Sequence, residues 1–273
     1  MVDTNYTDIN PNTTTRTQGR TFNHGQLSLL SRSMLYAGIG FIIIAAIGFG
    51  ISYGLINSKI DLSGYITLLW AISIILILVA MIISMVVNGK FFMGMGQVKK
   101  SLIWSMWIIY IIAEGAGFGI LFTAFQVNYG VGKGIAYLSL IFAAGGLAFM
   151  ISALIGKALS VKQMMNFGRF IGYMSIGFMI IFAISMVVMI VTLFTGSSFM
   201  STGLWVLIVG ISTLLFLFYM IFDISMISKT QQFINTEDKQ LTWTIGMIFG
   251  FRLLVDLVGL VWNIAMLVLR FAR

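Results

Sequence analysis

Cysteine is absent from the 273 residues, which excludes disulfides, thiolate metal sites and cysteine nucleophiles. Histidine occurs once, at His24, and proline once, at Pro11, both within residues 1–30. The rest of the chain therefore has no histidine-based proton switch or metal centre, and no hydrophobic stretch carries a proline kink. Charge is scarce too: Asp, Glu, Lys and Arg make up 9% of the chain, against about a quarter in an average soluble domain. Hydrophobic residues make up 59%, and the mean hydropathy is +1.03. Such a composition excludes a soluble globular fold and leaves a polytopic membrane protein. Gly-x-Ser-x-Gly, HExxH and phosphate-loop motifs are missing. An intramembrane aspartyl protease would need Tyr-Asp and Gly-x-Gly-Asp, whereas Asp223 follows Phe222 and Asp256 follows Val255. No enzymatic activity is expected, nor any tightly bound cofactor.

What is present is a series of long apolar runs. A helix needs about 20 apolar residues to cross a bilayer. Seven stretches qualify: 34–56, 66–87, 101–125, 134–156, 168–194, 202–227 and 245–269. Runs of this length cannot be the short alternating strands of a barrel, so the expected fold is all-α, a seven-helix transmembrane domain over 31–273. Residues 1–30 are polar, rich in Thr and Asn, and read as a disordered cytoplasmic tail. Glycine, with 29 copies, takes over the shaping of helices. Gly50-x-x-x-Gly54 and Gly115-x-x-x-Gly119 have the spacing that lets two helices approach closely. Ser175, Ser185 and Thr213 are expected to bond back to their own helices.

The formal charge of +8 does not point to nucleic acid, because the basic residues are scattered through short loops and form no patch. They do set an orientation. Eleven lie in the tail and the even-numbered loops, among them Arg32, Lys99, Lys157 and Lys229. Four lie on the other side, at Lys59, Lys133, Arg270 and Arg273. Positive residues stay in the cytoplasm, so the amino terminus is expected inside and the carboxyl terminus outside the plasma membrane.

Away from the ends of the spans, only Glu114, Asp223, Arg252 and Asp256 are charged; Arg169 sits at the very start of the fifth span and counts with the loop before it. The absence of lysine excludes a retinal Schiff base. An ionisable group at membrane depth marks a functional site by default. Asp223 and Asp256 lie in the last two spans, which are antiparallel neighbours able to bring them together. Two carboxylates in one low-dielectric site do not ionise together easily and tend to share a proton. The same pair of oxygen donors suits a hard cation, Ca²⁺ best. Arg252 and Asp256, four residues apart, share a helix face and are expected to meet there, which would make the pair merely structural. Glu114, among small neighbours, is either an ion-path residue or a partner for an adjacent helix.

The segment Tyr219-Met220-Ile221-Phe222-Asp223-Ile224-Ser225 resembles the sixth-helix aspartate segment of the Bax inhibitor-1 family. Leu253-Leu254-Val255-Asp256-Leu257-Val258-Gly259 is similar to that family's last helix, and Ser31-Arg32-Ser33-Met34 to the start of its first. The resemblance implies seven helices with the last surrounded by the other six. It further implies a pH-sensitive calcium leak in which the aspartate pair, here Asp223 and Asp256, binds Ca²⁺ and protons in competition. Glu114 is a weaker candidate for the path on its own residue pattern, and Arg252, a basic residue untypical of the family at that position, is expected to tune the pair. The alternative the resemblance implies is a non-transporting regulator that binds a membrane protease. In either case the partners are the lipid bilayer, ions and integral membrane proteins.

Overall fold

The computed structural model describes residues 28–58, 99–195, 202–230 and 239–271, with scattered helical residues between 72 and 87. Six labelled helices result: α1 (Leu29–Asn57), α2 (Lys100–Tyr129), α3 (Val131–Ala158), α4 (Val161–Thr195), α5 (Thr202–Thr230) and α6 (Lys239–Phe271). All six are long and apolar enough to cross a membrane, and no strand occurs among the described residues. Each covers one expected span and runs beyond it at one or both ends, because polar residues such as Asn57, Lys100 and Lys239 continue the helix past the apolar run. The expected second span, 66–87, lies mostly outside the described residues, as does the tail up to residue 27. Within 66–87, Ala80 and Val87 are helical and fully buried.

Local chemistry sets the helix ends. Ser28 caps α1, its Oγ accepting from Ser31 N at 3.1 Å. Ser160 and Gln163 form a reciprocal capping box at the start of α4: Ser160 N donates to Gln163 Oε1 at 2.8 Å, and Gln163 N to Ser160 Oγ at 3.3 Å. Between α2 and α3 the chain turns on Gly130 alone, at φ 78°, a backbone conformation that costs glycine nothing and other residues much.

The register of the contacts gives the directions. A side chain at Gly246 would meet Tyr36 and Arg32, and one at Gly40 would meet Trp107 and Leu254. Further along, Gly115 abuts Ile47, Gly119 abuts Ile51, and the Tyr129 hydroxyl donates to the Leu269 carbonyl. Residue numbers rise together in all three helices, so α1, α2 and α6 run parallel. By contrast Gly134 lies against the Gln126 backbone, and Gly168 against Phe222, so α2/α3 and α4/α5 are antiparallel pairs.

The innermost helices are α2 and α6, whose most apolar stretches are 61% and 44% buried; that of α4 is 6% buried. The last helix packs on α1, α2, α3 and α5, while α4 rests on α5. Aromatic rings fill the core between α1, α2, α3 and α6, with Phe118 touching Phe41, Phe122, Phe142 and Trp262. Of the two glycine pairs, Gly115 and Gly119 form a close helix contact as expected. Gly50 and Gly54 do not: nothing among the described residues lies within 4 Å of where their side chains would be.

Amphipathic aromatics mark the two ends of the bundle. Trp104 and Trp243 lie together at one end, with Lys100 Nζ 5.6 Å from the Trp243 ring, and Tyr129 and Tyr137 pair at the other. Trp104 and Tyr129 are separated along α2 by about 37 Å at helical rise. That is enough to clear a hydrocarbon core of about 30 Å, with the rings in the interfaces where such residues collect.

Candidate ion-binding site

The seam between α5 and α6 is a zipper of unlike rungs. Steps of 4, 3 and 4 residues along α5, through Ser212, Phe216, Tyr219 and Asp223, match the same steps back along α6, through Asn263, Gly259, Asp256 and Arg252. Three rungs are direct contacts. Asn263 Nδ2 donates to Ser212 Oγ at 2.9 Å. Gly259 leaves the space that the Phe216 ring fills, since a side-chain carbon there would fall 2.5 Å from it. Arg252 Nη2 donates to Asp223 Oδ1 at 2.6 Å in an ion pair. The spacing places Asp256 on the remaining rung, level with Tyr219.

This arrangement corrects the expectation that Arg252 meets Asp256. Sharing a face of α6 puts the two side chains on successive rungs, and the long guanidinium reaches across the seam to the carboxylate on its own rung. Asp223 is packed inside the protein: its side chain is 3% exposed, against 30% for that of Arg252. Asp256 lies within electrostatic reach of both Asp223 and Arg252, so the two aspartates do come into one neighbourhood. Its Oδ2 is buried and has no hydrogen-bond partner among the described residues. A buried carboxylate oxygen left without a donor costs free energy that a structural role does not explain.

Measured along α6 from Trp243, Arg252 lies about 13 Å deep and Asp256 about 20 Å deep. Asp256 is thus near the middle of the apolar span, and the ion pair lies between it and the nearer surface. The fourth charged residue, Glu114, belongs elsewhere. It takes a hydrogen bond from Tyr110, one turn earlier on α2. Tyr110 is buried against the Phe251 ring, 5.1 Å between centroids, and lies within electrostatic reach of Asp256. Tyr110 therefore stands between Glu114 and the cluster.

Tyr219, Ser212 and Asn263 were not among the expected site residues. The Tyr219 hydroxyl is bonded to Ser175 of α4, which also bonds back to the Ile171 carbonyl as expected; Thr213 likewise bonds back to Val209. Ser185 lies outside the described side chains. The signal for the three missed residues was available as polar side chains seven and then four residues apart on two successive spans. The register that pairs them was not.

The fold and this site define an all-helical, multi-pass membrane protein with a buried charged cluster between two of its helices. Comparison with protein-family models, with curated proteins and with solved structures finds no match to this chain.

Proposed function

We propose that this protein is a seven-span member of the Bax inhibitor-1 class in the plasma membrane, acting as a pH-sensitive calcium leak. Asp223 and Asp256 bind Ca²⁺ and protons in competition, without enzymatic chemistry or a resident cofactor. One observation carries the reading: Asp256, midway along its apolar helix, holds a buried carboxylate oxygen with no donor among the described residues, within electrostatic reach of a second carboxylate. A functional cation or proton supplies what the protein withholds. Ca²⁺ takes oxygen ligands and tolerates irregular geometry, so two aspartates and water suit it. Protonation removes the same ligands, hence the competition.

The seven-span topology draws support from the parallel course of α1 and α2. The chain leaves α1 at one end of the bundle and begins α2 at the other, so residues 58–99 must carry it back across. The basic residues then put the amino terminus in the cytoplasm and the carboxyl terminus outside.

The test is Ca²⁺ uptake into proteoliposomes at about pH 6 to pH 8, with wild type and Asp223→Asn. Wild-type uptake should rise with pH, and the variant should lose that dependence while still folding. An unchanged pH profile in the variant would remove the aspartate pair as the sensor. No wild-type uptake at any pH would leave the alternative, a non-transporting regulator of a membrane protease.

A further inference from the structure

We infer that Arg252 sets the valence of the cation the site admits. The inference rests on the cation-permeation reading above and goes beyond it. The cluster holds two carboxylates, Asp223 and Asp256, and one guanidinium, so in the proton-free state that binds a cation its formal charge is a single negative one. Arg252 cannot lose its proton. It already occupies Asp223 at 2.6 Å, in the position an incoming cation would take. The carboxylate left for a ligand is Asp256, whose Oδ2 is buried without a partner among the described residues, in a residue only 8% exposed.

Charge matching in a low-dielectric setting is strict, because an uncompensated charge there is not screened. With the guanidinium seated, one positive charge completes the cluster. A monovalent cation such as Na⁺ does so; a divalent one leaves an excess positive charge. Ca²⁺ fits only when the guanidinium leaves Asp223 and both carboxylates turn to the ion. The two partners of the ion pair differ in how open they are. The Arg252 side chain is 30% exposed and can withdraw, whereas the Asp223 side chain is 3% exposed and fixed. Arg252 is thus a resident cation that Ca²⁺ must displace and Na⁺ need not.

The experiment measures uptake of radiolabelled Ca²⁺ and Na⁺ separately, in proteoliposomes at one fixed pH. Arg252→Gln removes the resident charge and should raise the Ca²⁺/Na⁺ ratio by about tenfold or more. Arg252→Lys keeps the charge and should hold the wild-type ratio, whatever the absolute rate. Asp223→Asn combined with Arg252→Gln restores a single negative charge with no guanidinium, and should also hold the wild-type ratio. Asp223→Asn alone leaves the cluster without net charge and should depress both uptakes, Ca²⁺ the more; it serves if Arg252→Gln does not fold. A ratio that stays constant in Arg252→Gln, or that rises equally in the charge-conserving variants, overturns the inference and leaves the permeation reading standing. Absence of uptake of either ion by the wild type overturns the permeation reading itself.

Discussion

Replacing Gly156 by alanine tests whether the packing that frames the site is as tight as the structure indicates. A Cβ at Gly156 on α3 would fall 2.6 Å from the Ile221 carbonyl oxygen of α5, and 3.0–3.1 Å from the Ile224 side chain. Real Cβ contacts essentially never lie under 3.0 Å, so α3 must retreat from α5 by at least 0.4 Å, the difference of the two distances. The blocking atom is backbone and cannot rotate away. Overpacking of this kind costs about 1–3 kcal/mol, which for a chain of this size lowers the unfolding midpoint by about 2–12 °C. Thermal unfolding in detergent micelles, followed by tryptophan fluorescence, reads it. The control lies on the same helix: nothing among the described residues lies within 4 Å of a side chain placed at Gly146, and Gly146→Ala should match or exceed wild-type stability. Because Ile221 is two residues from Asp223, the retreat also loosens the ion-pair rung, so cation uptake should fall with Gly156→Ala and persist with Gly146→Ala. Equal midpoints for the two variants would refute the close approach of α3 and α5.

Reporters fused at Met1 and after Arg273 should read cytoplasmic and extracytoplasmic respectively; both ends on one side would exclude an odd number of crossings. Asp256→Asn should abolish cation uptake yet raise thermal stability, since it replaces a buried ionisable carboxylate that no donor among the described residues satisfies by a neutral amide; lower stability would mean that the carboxylate has a structural partner. Gly115→Ala should destabilise by about 1–3 kcal/mol against Ile47, whereas Gly50→Ala should be neutral or mildly stabilising. Equal losses at both positions in a melting series would show that Gly50 also lies at a helix contact.

Hydrophobicity made the helices legible. The expected run 202–227 became Thr202–Thr230, and 134–156 became Val131–Ala158, because only a continuous helix satisfies its backbone in hydrocarbon. Helix spacing also identified the face that Arg252 and Asp256 share. Which helix that face meets, and at what height, depends on the relative slide of α5 and α6, which a periodic pattern does not record. Hence Asp223 was foreseen as a site residue while its pairing with Arg252 was not. The same limit explains the glycines: the four-residue spacing occurs at Gly50 and Gly115 alike, and only the neighbours distinguish an interface from a surface. Burial gives the reason that Glu114 stands apart, since its own helix supplies Tyr110 as a donor and it needs nothing from the last two helices.

The turn at Gly130 has a consequence for how the protein is made. A single residue between α2 and α3 leaves no loop to be threaded across the bilayer after its flanking helices have formed. During synthesis the pair must therefore enter the lipid together as one closed hairpin, with Gly134 already seated on the Gln126 backbone. A bulky residue at position 130 would then act on the ribosome-bound chain, and its signature would be low yield from the membrane fraction and not a low melting point of whatever protein survives.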